Sequence, residues 1–206
     1  SKLGKYKEAV DNFRKAVGID PRDAESIRYL GLCLAKLNKF ADSLDFYHRA
    51  AELDPSNAVT FANWGIALTK LNRLKESIEK YEKALSIDPN FQSAEVFSNW
   101  AFSLAELGQH EQSLDKFQKA TEMDPENAEN YFNWGLSLVK SRKYAEAVEK
   151  FNKSIESDPK NIIAHYNLGI SLRNLRKYED AIDEFQIVTE IDPNHADAYY
   201  MWGDIL

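Results

Sequence analysis

The sequence of 206 residues has a single cysteine, Cys33, which excludes a framework of internal disulfides. Its four histidines, His48, His110, His165 and His195, lack the spacing of metal ligands. The glycine-rich motifs GxGxxG and the P-loop do not occur, and neither do the hydrolase motifs GxSxG and HExxH. The sequence therefore predicts a protein that is not an enzyme and that has no metal and no cofactor.

Long apolar runs and an excess of basic charge are also missing. No apolar run approaches the roughly 18 residues of a membrane span, and no segment has the basic amphipathic pattern of a membrane-surface helix. The net charge is −7, with 33 acidic and 26 basic residues. Because nucleic-acid binding needs clustered Lys and Arg, we expect neither a nucleic-acid nor a membrane partner. The lone thiol and the acidic charge favour a cytoplasmic location.

The few prolines reveal an internal repeat. There are six, and each follows an aspartate, at Asp20-Pro21, Asp54-Pro55, Asp88-Pro89, Asp124-Pro125, Asp158-Pro159 and Asp192-Pro193. Successive prolines are separated by 34, 34, 36, 34 and 34 residues. A fixed period of this length is typical of a repeat architecture.

Other residue types follow the same period when the proline is numbered position 32 of a 34-residue unit. Position 8 is small, at Gly31, Gly65, Ala101, Gly135, Gly169 and Gly203. Position 24 is aromatic, at Phe13, Tyr47, Tyr81, Phe117, Phe151 and Phe185. Positions 20 and 27 are mostly Ala or Ser. Apolar residues at positions 4, 7, 11 and 14, and again from 17 to 30, predict two amphipathic helices in each unit.

This pattern, with its period of 34, resembles the tetratricopeptide repeat (TPR) family over the whole chain. The resemblance implies an all-α fold, a right-handed α-solenoid of antiparallel helix pairs that forms a TPR superhelix. We expect a single array over 1–206. Its parts are a second helix at 1–23, full repeats at 24–57, 58–91, 94–127, 128–161 and 162–195, and a first helix at 196–206.

Three features depart from the usual pattern. All four tryptophans, Trp64, Trp100, Trp134 and Trp202, stand at position 7, where we expect them to pack in the core. A two-residue insertion near 90–93 falls in the turn between repeats. The chain begins without Met and ends with a first helix alone, so we expect a fragment of a longer array that could associate with itself through its cut ends.

The resemblance implies that the first helix of each pair lines a concave groove. On a helical wheel, positions 2, 5, 6, 9, 12 and 13 lie opposite the core stripe. Position 6 is Asn in four successive units, at Asn63, Asn99, Asn133 and Asn167. An Asn amide both donates and accepts hydrogen bonds, so these side chains could hold the backbone of a bound peptide.

Apolar and basic residues complete the predicted peptide-binding face. The apolar candidates at positions 9 and 5 are Ile66, Phe102, Phe132, Leu136, Tyr166 and Ile170. The basic candidates at positions 12 and 13 are Lys70, Lys140 and Arg173, which could contact an acidic ligand segment. Some TPR domains grip a C-terminal carboxylate with basic residues at position 5 and Asn at position 9, an arrangement that this sequence lacks.

Three functions remain open at this point. The first is a protein-protein interaction scaffold that binds an extended or helical peptide segment of a protein partner in the groove. The second is the substrate-presenting region of a larger enzyme, such as a protein glycosyltransferase with a long TPR array. The third is a self-assembling structural array. We favour the scaffold, because the inner positions carry the side chains that a peptide site needs.

Overall fold

The computed structural model describes residues 2–206, which form twelve α-helices and no strand. The helices α1 to α12 span Lys2–Ile19, Ala24–Lys36, Phe40–Leu53, Ala58–Lys70, Leu74–Ile87, Ala94–Glu106, His110–Met123, Ala128–Lys140, Tyr144–Ser157, Ile162–Asn174, Tyr178–Ile191 and Ala196–Ile205. The first helices of the repeat units are the even-numbered ones, α2 to α12. None of the described helices is long and apolar enough to cross a bilayer.

The chain forms two compact units, one ending at Leu107 and the other spanning Gly108–Leu206. In the first unit each helix from α1 to α5 packs against the helix that follows it, up to the pair α5–α6. In the second unit the same holds for α7 to α12. Adjacent helices therefore form the repeating core, and the fold is the all-α helical repeat solenoid that the sequence predicts.

A capping side chain precedes each first helix. A side-chain oxygen of Asp23, Asn57, Ser93, Asn127 or Asn161 accepts a backbone N–H from the first turn of the helix that follows. Such caps satisfy donors that a helix N-terminus would otherwise leave unpaired. Ser93 follows the two inserted residues and caps α6 as the other residues cap their helices. The insertion therefore lengthens the turn between α5 and α6 without removing the N-cap of α6.

The turn inside each repeat places position 15 in the left-handed region of backbone space. The residues there are Asn38, Asn72, Gly108, Arg142 and Arg176, with φ angles between 58° and 76°. Asn and Gly tolerate this conformation, whereas an Arg side chain is disfavoured in it. The same backbone geometry thus recurs in these turns with different residues at position 15.

Glycine at position 8 sets how closely the two helices of a pair approach. A Cβ added at Gly135 would lie 2.6 Å from Cε1 of Phe151, the position-24 ring of the same repeat. At Gly65 the corresponding distance to Cε1 of Tyr81 is 2.5 Å. Both rings are fully buried, so they have no free space into which they could move.

The tryptophans at position 7 belong only partly to the core. Trp100 is buried, and its ring stacks on Tyr81 with centroids 5.8 Å apart. Trp64 is half-buried, with Nζ of Lys80 4.1 Å from its ring centroid in a cation–π contact. Trp134 and Trp202 are also half-buried. The prediction that the tryptophans pack in the core is therefore correct for Trp100. It is only partly correct for the other three, because part of each ring is exposed to solvent.

Substituting Gly135 tests the packing at position 8. We expect Gly135→Ala to lower the free energy of unfolding by about 1–3 kcal/mol, because the added methyl overpacks against Phe151. Gly203→Ala is the matched control, since no atom lies within 4 Å of the added Cβ; its better helix propensity predicts a gain of about 0.5–1 kcal/mol. Urea denaturation followed by circular dichroism measures both, and equal effects would contradict the packing argument.

Candidate functional site

The first helices lie on the inner side of each unit. In the first unit α4 packs against both α2 and α6, and in the second unit α10 packs against both α8 and α12. Within neither unit does a described second helix pack against another second helix. The first helices are therefore closer to one another than the second helices are, which makes their exposed surface the inner face of each unit.

The four position-6 asparagines lie on these inner faces, two in each unit, and all are partly exposed. Nδ2 of Asn99 donates to the carbonyl of Glu95 at 2.7 Å, and Nδ2 of Asn167 donates to the carbonyl of Ile163 at 2.7 Å. These bonds within the helix fix the side chains and leave one N–H and the carbonyl oxygen of each amide for a ligand. Among the described residues, the amides of Asn63 and Asn133 have no hydrogen-bond partner.

The position-9 residues lie beside the asparagines as an apolar surface. Ile66, Leu136 and Ile170 are half-buried, and Phe102 is 37% exposed. Their inner atoms pack against neighbouring helices, while the outer atoms remain accessible. Each unit thus presents alternating amide and apolar groups along its first helices.

Position 5 lies deeper than the helical wheel predicts. Phe132 packs against the ring of Phe151 with centroids 6.1 Å apart, and Tyr166 packs against Phe185 at 5.9 Å. Ala62, at the same position in the first unit, is only 1% exposed. Burial also raises the pKa of the Tyr166 hydroxyl. Phe132 and Tyr166 therefore pack mainly between the two helices of a pair. Only part of each ring remains accessible to a ligand.

The basic candidates differ in whether they have a partner. Arg173 forms an ion pair with Asp204, so its charge is compensated within the second unit. Lys70 and Lys140 are exposed and have no ion-pair partner among the described residues. Lys36, at position 13 of the first full repeat, lies 3.5 Å from the carboxylate of Glu95.

Three of the candidate residues meet at one cavity in the first unit. The cavity has a volume of about 210 Å³, and its walls include Asn63, Ile66 and Lys70 of α4. Tyr47 of α3 also lines it, although the ring is fully buried. Sequence reasoning missed Tyr47, because an aromatic residue at position 24 is expected in the core.

The hydroxyls of Tyr47 and Tyr81 have different surroundings at the same repeat position. The Tyr81 hydroxyl lies 2.9 Å from Oγ1 of Thr69, which lies 3.0 Å from Oγ of Ser103. The Tyr47 hydroxyl is inaccessible to solvent and has no hydrogen-bond partner among the described residues. Burial raises the pKa of both phenols, so both hydroxyls keep their protons at neutral pH.

Comparison of equivalent repeat positions explains why the Tyr47 hydroxyl has no hydrogen-bond partner. Thr69 stands at position 12 and Ser103 at position 10 of the following repeat. The equivalent residues around Tyr47 are Ala35 and Ala67, which carry no hydroxyl. The Tyr47 hydroxyl is therefore buried without the hydrogen bonds that Thr69 and Ser103 provide one repeat later.

Two observations concern metal binding and the reactivity of the cysteine. Across residues 2–206 no group of three or more His, Cys, Asp or Glu side chains could hold a metal ion. Cys33 is buried, and burial raises its thiol pKa, which keeps it in the unreactive protonated form.

Comparison with protein families and curated proteins gave two results. A family model described as tetratricopeptide repeat matches residues 1–58, 99–162, 132–196 and 166–206, and a second model of the same description matches residues 58–91. Residues 92–98, which contain the end of the lengthened turn, lie outside these matches. No curated protein matches the sequence.

Several solved structures share the fold. YrrB, described as a TPR protein with an unusual peptide-binding site, is 27% identical, with a TM-score of 0.83 over 91% of this chain and 96% of that chain. MamA from Desulfovibrio magneticus is 19% identical, with a TM-score of 0.72 over 84% of this chain and 96% of that one. Pseudomonas aeruginosa PilF is 23% identical, with a TM-score of 0.66 over 90% and 85% of the two chains.

Removing each hydroxyl in turn tests the difference between the two tyrosines. We expect Tyr47→Phe to leave the free energy of unfolding unchanged or to raise it by up to about 1 kcal/mol, because an unpaired buried hydroxyl is lost. Tyr81→Phe should lower it by about 0.5–1.5 kcal/mol, because a hydrogen bond to Thr69 is lost. Chemical denaturation of both variants measures this, and a larger loss for Tyr47→Phe than for Tyr81→Phe would contradict the assignment.

Proposed function

Because the chain belongs to the tetratricopeptide repeat family, whose fold supports a protein-interaction scaffold role, we propose that it binds an extended or helical peptide segment of a protein partner on the inner faces of its units. This role is non-catalytic. The peptide-binding site in the description of YrrB, the structural relative at 27% identity, supports the choice of a peptide as the ligand.

The observation that carries the proposal is the unused hydrogen-bonding capacity of the position-6 amides. Asn63 and Asn133 have both N–H groups and the carbonyl oxygen free, and Asn99 and Asn167 have one N–H and the oxygen free. A peptide backbone offers the matching donors and acceptors at every residue. Amides in successive repeats can therefore hold a chain without regard to its sequence.

Apolar side chains next to the amides supply the rest of the binding surface. Within the second unit, Leu136 and Ile170 stand three residues after Asn133 and Asn167 and are half-buried. Covering their exposed atoms with ligand side chains removes apolar area from water. The amides thus hold the backbone, and the apolar residues select among side chains.

Selection of ligands from a random peptide library against the protein, followed by mutation, tests this proposal. Combining Asn133→Ala with Asn167→Ala should weaken binding of peptides selected on the second unit by roughly tenfold or more, because two hydrogen-bonding groups are lost. The matched control is Asn152→Ala, an exposed asparagine on the second helix α9. Fluorescence anisotropy of labelled peptides measures affinity, and circular dichroism checks the fold.

The two variants give distinct outcomes. If Asn152→Ala binds like the unmodified protein and the double variant does not, the inner face of the second unit is the binding surface. An unchanged affinity in the double variant would remove the amides from the mechanism.

A further inference from the structure

An ion pair in the first unit joins two helices that are not packed against each other. Nζ of Lys36, the last residue of α2, lies 3.5 Å from Oε1 of Glu95, the second residue of α6. Both helices pack against α4, which lies between them, and among the described residues of the unit no packing contact joins α2 to α6 directly. The pair therefore spans the width of α4.

The position of this bridge follows from what covers the rest of α4. The second helices α3 and α5 pack against α4 on its other sides. On the inner side, Lys36 and Glu95 line the same cavity as Asn63 and Ile66 of α4. The ion pair therefore crosses the inner face beside an amide and an apolar side chain that are candidates for peptide binding.

The second unit lacks the equivalent bridge. The same repeat positions there hold Lys140, at the end of α8, and Asp197, near the start of α12, with α10 between the two helices. Neither residue has an ion-pair partner among the described residues. An aspartate is one methylene group shorter than the glutamate at this position of α6, which reduces its reach. In the described second unit, no ion pair therefore crosses the inner face of α10 from α8 to α12.

We propose that the Lys36–Glu95 ion pair is an autoinhibitory strap, which covers the inner face of α4 and must open before a peptide binds there. The inference rests on the proposed function, because it concerns peptide binding to the inner face. The two side chains are 43% and 54% exposed, so water and salt screen their attraction. A pair of this kind lowers the affinity of the face by a factor of up to about five. The strap thus weakens peptide binding by the first unit without preventing it.

Uncharged peptides test the strap, because they carry no group that forms an ion pair with Lys36 or Glu95. The probes are acetylated and amidated peptides without Asp, Glu, Lys, Arg or His, selected from a random library against the Glu95→Gln protein. Titration into the ¹⁵N-labelled variant identifies those that saturably shift the backbone amides of Asn63 and Ile66. The dissociation constants of these peptides are then compared between the unmodified protein and its variants.

Removing either charge should strengthen binding. Glu95→Gln and Lys36→Gln each break the ion pair and keep a polar side chain, so we expect each to lower the dissociation constant by about two- to fivefold. Loss of a negative charge and loss of a positive charge change the local potential in opposite directions. A gain in both variants therefore identifies the pair, rather than the potential, as the cause. Combining the two substitutions should give no further gain, because either one already breaks the pair.

Two further measurements complete the test. Glu76→Gln is the matched control, because it breaks an exposed ion pair of the same unit, formed with Arg73 at the start of the second helix α5, and it should leave the affinity unchanged. Raising NaCl from about 20 mM to about 500 mM should narrow the difference in affinity between the unmodified protein and Glu95→Gln, because salt screens the pair.

Each contrary result overturns the strap. An unchanged or higher dissociation constant in either Glu95→Gln or Lys36→Gln removes the pair from control of the face. Additive gains in the double variant, or an equal gain in Glu76→Gln, assign the effect to charge in general. If no uncharged library peptide shifts the amides of Asn63 and Ile66 in the Glu95→Gln protein, the opened face does not bind peptides and the pair inhibits nothing.

Failure of the strap and failure of the proposed function give different results. The asparagine pair Asn133 and Asn167, whose substitution tests the function, lies in the second unit. If library peptides lose affinity in that double variant, but Lys36→Gln and Glu95→Gln change nothing in the first unit, the function stands and the strap is wrong. If library peptides bind equally well to the asparagine double variant, the proposed function fails whatever the charge variants do.

Discussion

Contact between the position-8 glycine and the position-24 ring is the constraint on which the pairs α2–α3, α4–α5, α8–α9 and α10–α11 depend. The ring fills the space that a side chain would occupy at Gly31, Gly65, Gly135 or Gly169. Because the rings are fully buried and cannot move away, the glycine fixes the separation of the two helices. With the helices fixed, the chain between them must turn in one way, which explains why position 15 keeps a left-handed backbone even where the residue is Arg142 or Arg176.

Because the glycine and the ring fix the separation of the two helices, a single side chain can change the local hydrogen bonding while the backbone keeps its conformation. The position-24 phenols of the first unit illustrate this, because Tyr81 has Thr69 as a neighbour and Tyr47 has Ala35 at the equivalent place. Thr69 gives the phenol of Tyr81 a hydrogen bond, whereas Ala35 leaves the hydroxyl of Tyr47 without a partner. Both rings pack against the glycine of their own repeat, with an added Cβ 3.0 Å from Cε1 of Tyr47 at Gly31 and 2.5 Å from Cε1 of Tyr81 at Gly65.

The sequence was sufficient for the helix pairs, because those depend on neighbours at fixed spacing along the chain. Side chains that meet across helices were harder to predict. The wheel placed Phe132 on the free face, but the contact between α8 and α9 brings its ring against Phe151. His165 occupies a core position and is hydrogen-bonded to Glu184, nineteen residues later, at 2.6 Å. Such pairings follow from packing angles, which periodicity does not contain.

The same limit explains why the unpaired phenol of Tyr47 could not be recognised from its own position. A tyrosine at position 24 is unremarkable in the sequence, and its neighbours Ala35 and Ala67 are small residues of the kind that repeats use everywhere. Only the combination leaves a hydroxyl without a partner, because the two alanines replace the oxygens that Thr69 and Ser103 supply one repeat later. In a repeat protein, residues at equivalent positions of successive repeats can therefore be compared with one another, in the way that residues of related proteins are compared. A residue whose partners disappear in one repeat shows where the shared frame tolerates a change in its buried hydrogen bonds.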